Sequence, residues 1–411
     1  MTMNKVQQSN ALGVLAGACA LAIGIGFQRS DFAVLGQIMA NQKIITDSDI
    51  GTLAGTSLAG YIIGCIHQTK IKSEYRSLQV IATALAVCVA SFIIEPLIPS
   101  LGWHALWRLI SGWASAHLVT GLPSFAVRNI EQSSRRSATA LIFAGGGFGA
   151  LIGSVGIGVY ASSSVPGSWF ITFLISVILA LPITMFLKEV FREQAEARKA
   201  KSLMSASNDE AKISKVTPQV TWTASLKLFA ATIFFFGAAQ VTIITYQPLL
   251  LVSRLNVSQE MASESFGIFG IGYTIGAIAA GFMPRKWSTD LLLQISALLG
   301  VTGSLLCYVG TSVAVINSGA FLFAFWNGAM IGLIVARLGE IVGPVQARKY
   351  WAIFSLILSI GYISYTFTSA WIATFSIPSI FSIGLGLTIV HFAFMFITAR
   401  AFAKDKILQP G

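Results

Sequence analysis

Charge is what this sequence has least of. Asp, Glu, Lys and Arg make up only 10% of its 411 residues, 55% are apolar, and mean hydropathy is +0.75. So little charge cannot coat a water-soluble fold of this size, which excludes an ordinary globular domain. Cysteine is nearly as rare: Cys19, Cys65, Cys88 and Cys307 lie inside apolar runs and form no CxxC, so neither a disulfide framework nor a thiolate metal site is expected. His117 and His391 read as packing histidines and suggest no metal. No nucleophile is paired with a base. The glycine-rich FAGGGFGALIG around Gly145 follows no strand and has no acidic partner, so it is not a dinucleotide loop. An enzyme is not expected, nor is any cofactor.

What is present is long apolar runs. A helix needs about 20 mainly apolar residues to cross a bilayer. Twelve such runs occur, at 11–39, 49–68, 77–97, 104–127, 137–162, 168–187, 222–252, 263–284, 288–310, 316–338, 350–374 and 377–402. Most connections are short, but residues 188–221 form a polar stretch of mixed charge that divides the chain into a six-helix unit at 1–187 and another at 222–411. All but four of the 27 Lys and Arg fall at or beyond the span ends on the N-terminal side of the membrane: Lys43 and Arg254 lie opposite, and Arg29 and Arg108 lie well inside spans. Cytoplasmic loops retain such an excess, which predicts two cytoplasmic termini in a multi-pass protein of the inner membrane. The same collar accounts for the net charge of +11 by facing anionic membrane lipids, and nucleic acid is not an expected partner. The first span continues to Met39 and reads as uncleaved rather than as a signal peptide.

The heptads GYIIGCI (Gly60–Ile66) and GYTIGAI (Gly272–Ile278) match with a shift of 212, and the same shift lays whole spans over one another and Gln28 over Gln240. Internal duplication in a polytopic protein points to a transporter with its site between the repeats. With this organisation the chain resembles the major facilitator superfamily, and GIGFQRSDFAVLGQIM (Gly24–Met39) is similar to the first-helix signature of the YbfB/YjiJ-type branch. Ser30, Phe32 and Gln37 depart from that signature. Arg108 to Gly112 resembles the superfamily's RxxxG element, whereas the loop motif after the second span is largely missing, with Gln68 at its acidic position. The resemblance implies an all-α fold of twelve helices in two pseudo-symmetric bundles.

Charges inside spans are costly, about 2.5–3.5 kcal/mol each on insertion scales, so each needs a cavity or a partner. Arg29 and Asp31, two residues apart, cannot pair in a regular helix. Gln28 and Asp31 share a helical face, which we assign to the central cavity, leaving Arg29 pointing sideways into the N-terminal bundle. Arg108 has two candidate partners: Asp31 at a similar depth, forming a proton-coupling pair, and Glu95 across a short hairpin, forming a static one. Candidate solute-binding residues are Gln28, Arg29, Trp113, Gln240, Gln247, Trp326 and Asn327. Trp113 and Trp326 read equally well as packing aromatics. Gly145, Gly149 and Gly153 recur every four residues, and the resemblance implies that this stripe packs between the bundles.

The expected activity is secondary transport by alternating access, proton-coupled, with a small organic solute as partner and a lean towards an organic anion. A multidrug or metabolite efflux pump is the nearest alternative. A receptor or assembly factor that moves nothing is the alternative from another class. A monomer is expected.

Overall fold

In this computed structural model, residues 5–160, 164–204, 222–284 and 286–407 are described, and they contain helices and no strand. The first span, α1, is built in three pieces: Lys5–Leu21, a π-helical Ala22–Ser30, and Phe32–Asn41. Then come α2 (Asp47–Lys70) and α3 (Glu74–Ile94), followed by α4, which runs from Leu101–Ala116 through a π-helical His117–Gly121 to Leu122–Ala126. α5 (Gln132–Gly158) and α6 (Val165–Met204) complete the first half. The second half has α7 (Ala224–Leu255), α8 (Gln259–Phe282), α9 (Thr289–Val309), α10 (Val313–Gly343), α11 (Tyr350–Ala373) and α12 (Ile377–Ile407). Between α10 and α11 the backbone breaks at Gly343, whose φ of +77° is open to glycine at no steric cost. Among the described residues 11 helices are long and apolar enough to cross a membrane; α4, interrupted and carrying Arg108, falls outside that set.

Helix starts follow from local chemistry. Thr46, Ser100, Ser258 and Ser312 each accept a hydrogen bond from the backbone N–H three residues on, satisfying a donor that the helix leaves free. These caps form two pairs separated by the repeat shift of 212. The packing repeats too. A Cβ added at Gly60 or Gly64 would overlap the carbonyls of Leu109 and Trp113, and one at Gly272 or Gly276 those of Phe321 and Phe325, the positions 212 residues on. So α2 crosses α4 as α8 crosses α10, backbone to backbone, as small residues allow.

The stretch expected to be a linker is not wholly one. α6 continues to Met204, because EVFREQAEARKAK is rich in residues with high helix propensity. Arg128 pairs with Glu193 at 2.7 Å and Glu74 at 3.8 Å, and Gln194 donates to Glu74 at 2.6 Å, tying that extension to α3 and the end of α4. Residues 205–221 lie outside the described residues.

The halves meet along α5 and α8. From the end remote from the N-terminus, Ser263 donates to the Ser154 carbonyl at 2.5 Å, Gly147 abuts Gly270 and Thr274, and Arg136 donates to the Ala280 carbonyl at 2.7 Å. At the remote end α2 also seals against α11: Ser48 donates to the Ala370 carbonyl at 2.9 Å, Gly51 is jammed against Tyr246 and Ala370, and Gly55 against Phe367. The stripe Gly145, Gly149, Gly153, expected between the bundles, instead packs α5 on α1, against Ala18, Ala22 and Asp31 inside the first half. Its neighbour Gly147, displaced by two residues, makes the contact between halves. A run this rich in glycine is smooth on both sides, and helix geometry assigns each side its own partner.

If these crossings are set by backbone contact, Gly60→Val and Gly272→Val should each lower the melting temperature in detergent by several degrees, since overpacking costs about 1–3 kcal/mol. Gly102→Ala, with open space around it, should leave the melt unchanged.

Candidate functional site

The π-helical turn of α1 decides where its polar residues point. In this segment the hydrogen-bonded ring closes five residues back, as when the Asp31 N–H donates to the Gly26 carbonyl at 2.8 Å, so the phase expected for a regular helix is lost. Gln28 faces into the first bundle rather than the central cavity. Its Nε2 donates to the Cys88 carbonyl at 3.0 Å and to Ser91 Oγ at 2.7 Å on α3. Its Oε1 and main-chain carbonyl accept from Arg108 Nη2 and Nη1 at 3.0 and 2.9 Å. Every polar end of Gln28 is therefore used within the bundle.

Arg108 takes its static partner. Its Nε donates to Glu95 Oε2 at 3.1 Å, with both side chains essentially inaccessible to water, and His104 Nδ1 stands 3.7 Å from the other carboxylate oxygen. The alternative pair with Asp31 is not formed. Glu95 lies across the α3–α4 hairpin, and Arg108 has already engaged it and Gln28. The Arg108 guanidinium also covers the Phe32 ring at 4.4 Å.

Asp31 is fully buried, and neither carboxyl oxygen has a hydrogen-bond partner. It lies against α5, where even a methyl group at Gly153 would overlap Oδ2. Arg29 goes the other way from the direction expected for it. It is half-buried and reaches the second half, its guanidinium 3.8 Å over the Tyr362 ring of α11, with Nε and Nη2 buried and unpartnered. Tyr61 of α2 and Tyr273 of α8 lie within electrostatic reach of its charge. Tyr273 is also placed beside Ile25, four residues before Arg29, because a Cβ at Gly146 would touch both. Tyr61 and Tyr273 are separated by the repeat shift. Both stand in the two matching heptads, so the signal that could have found them was in the sequence.

The other candidates scatter. Trp113 is half-buried, stacked on His67 at 5.9 Å and edge-on to His117 at 4.8 Å. His117 is held by Gln68 at 2.6 Å and His67 at 3.2 Å, a partnered histidine joining α2 to α4. Trp326 is not a counterpart of Trp113. It is wholly buried in the second bundle among Phe236, Phe323 and His391, packed on Gly300, while the position equivalent to Trp113 is Phe325. Gln240 folds back on its own Phe236 carbonyl at 3.2 Å. Gln247 donates to the Ser265 carbonyl at 3.4 Å and keeps an unpartnered Oε1, and Asn327 keeps an unpartnered Nδ2. The structure thus gathers Arg29 with three tyrosines at the boundary between halves, and gathers Gln28 with Arg108 and Glu95 inside the first.

Residues 21–396 match the model of a family described as uncharacterised MFS-type transporter YbfB. The chain belongs to that family of the major facilitator superfamily. As its member it is a multi-pass membrane transporter and not an enzyme. Solved structures similar to it include the human organic anion transporter MFSD10 (TETRAN), 15% identical over 96% of this chain and 100% of that one, with a TM-score of 0.64. A D-xylose-proton symporter is 16% identical over 94% and 97%, with a TM-score of 0.69. A bacterial homolog of the human lysosomal transporter Spinster, in an inward-facing and occupied conformation, is 16% identical over 98% and 99%, with a TM-score of 0.65. At these identities the likeness shows the fold alone. No curated protein matches the sequence.

Removing one partner of the buried pair should destabilise strongly, about 3–5 kcal/mol, because the other charge is left alone in the protein interior. Thermal unfolding of Glu95→Gln and of Arg108→Met should show large losses, and the double variant should recover much of either one.

Proposed function

We propose that this protein is a proton-coupled secondary carrier of a small organic solute, with an organic anion favoured, working by alternating access in the inner membrane with both termini in the cytoplasm. The observation that carries this reading is Arg29. A cation in a span is expensive to keep, and this one has two buried donors free and stands between the halves, where a bound solute would feel both. A cationic drug would be repelled there, which weighs against the efflux alternative.

Asp31 supplies the proton site in this reading. An unpartnered carboxyl buried this deeply is costly to leave ionised, so it is a natural seat for a transported proton. Its contact with α5, the helix that meets α8, links that seat to the surface along which the halves move. Arg108 has a different part from the one first expected of it: held by Glu95 and Gln28, it fixes the π-helical turn on which Arg29 and Asp31 stand. The lysine and arginine collar supports the orientation. The similar folds of a proton symporter and an organic anion transporter are compatible with this assignment.

In proteoliposomes, Asp31→Asn should abolish uphill uptake driven by a proton gradient and leave solute exchange largely intact. Undiminished uphill transport would remove Asp31 from the mechanism. If the unaltered protein exchanges a solute it binds but shows no flux that depends on a proton gradient, proton coupling is excluded.

A further inference from the structure

The two unpartnered donors of Arg29 are Nε and Nη2, which lie along one edge of the guanidinium and point the same way. That edge matches the two oxygens of a carboxylate, which it binds through two parallel hydrogen bonds. The fork is already held in place, its central carbon 3.8 Å from the centre of the Tyr362 ring. A site that needed only a positive charge could use lysine, a compact ammonium on a flexible stem; a stacked, planar fork selects a planar anion.

The charge balance narrows the choice. Arg108 is matched by Glu95 inside the first bundle, and Asp31 lies on the other side of α1 against Gly153, so neither offsets Arg29. Among the described residues Arg29 is thus the positive charge that reaches from α1 to the second half with buried donors and no acid against it. A monoanion neutralises it, whereas a dianion would carry a second charge into a low-dielectric site with nothing opposite. Tyr273, placed beside Ile25 of the same turn, and Tyr61 lie within electrostatic reach of the same charge, and phenol hydroxyls can donate to carboxylate lone pairs that the fork leaves free.

Resting on the reading of Arg29 as a solute-binding residue, we infer that the solute is a monocarboxylate, gripped side-on by Arg29 Nε and Nη2 between Tyr61, Tyr273 and Tyr362.

The full-length protein in detergent is titrated with benzoate, hexanoate and lactate, and in parallel with benzamide, phthalate and benzylammonium, reading thermal shift and tryptophan fluorescence. At least one monocarboxylate should bind, about tenfold or more tighter than the amide, the dicarboxylate or the ammonium. Arg29→Lys, which keeps the charge but loses the fork, should weaken carboxylate binding by about tenfold or more. Should that variant misfold, the ranking of the six compounds on the unaltered protein still decides. The inference is overturned if no monocarboxylate binds, if phthalate, benzamide or benzylammonium binds as tightly, or if folded Arg29→Lys binds carboxylates unchanged. Counterflow of labelled ligand in proteoliposomes separates the two readings. Carboxylate binding without counterflow upholds this inference and sinks the carrier, while counterflow confined to neutral or cationic ligands does the reverse.

Discussion

The grip of Arg108 on α1 sets everything polar in this molecule. One guanidinium holds Glu95 at the end of α3 and both the side chain and the main-chain carbonyl of Gln28. Gln28 is thereby drawn into the first bundle, and the wide turn that contains it is pinned against α3 and α4. With Gln28 turned inward, the next residue, Arg29, is carried out to the second half. Asp31 comes back against α5. Two ionisable groups close together in sequence thus end up in separate environments, one facing the other half and one sealed in the wall. A buried ion pair adds little net stability compared with apolar packing; what this one does is hold the turn in one geometry.

The second half has no such apparatus. Moving 212 residues on from Gln28, Arg29, Asp31 and Arg108 gives Gln240, Val241, Ile243 and Ala320. Helix caps and glycine crossings are shared between the repeats, while the charges belong to one of them. The duplicated features are those that build a bundle. The second half brings aromatic faces, Tyr273 and Tyr362, to meet a charge supplied by the first.

The spans were legible in the sequence because the bilayer imposes a length and a composition, and only α4, with its arginine and histidine, strays from that pattern. The glycines that set the crossings of α2 on α4 and α8 on α10 stand in the same two heptads that betray the repeat, but the heptads by themselves showed only the duplication and not the partner helix. The direction of individual polar side chains was not. A phase counted at 3.6 residues per turn fails across a π-helical segment, and nothing in GFQRSDF announces one. Arg108 had two candidate acids, Asp31 at a similar depth and Glu95 across a short hairpin, and spacing alone could not choose between them. Gly145 and Gly147 are both small and only two residues apart, so composition could not say which faced the other half. Trp326, one residue out of register with Trp113, landed in a core.

The seal between α2 and α11 at the remote end is made of touching glycines, aromatic rings and the Ser48–Ala370 hydrogen bond. Contacts of that kind offer no exposed charge pair for dissolved ions to screen. The ease with which this seam parts should therefore be the same in dilute and in salty surroundings, and should respond instead to changes in side-chain bulk.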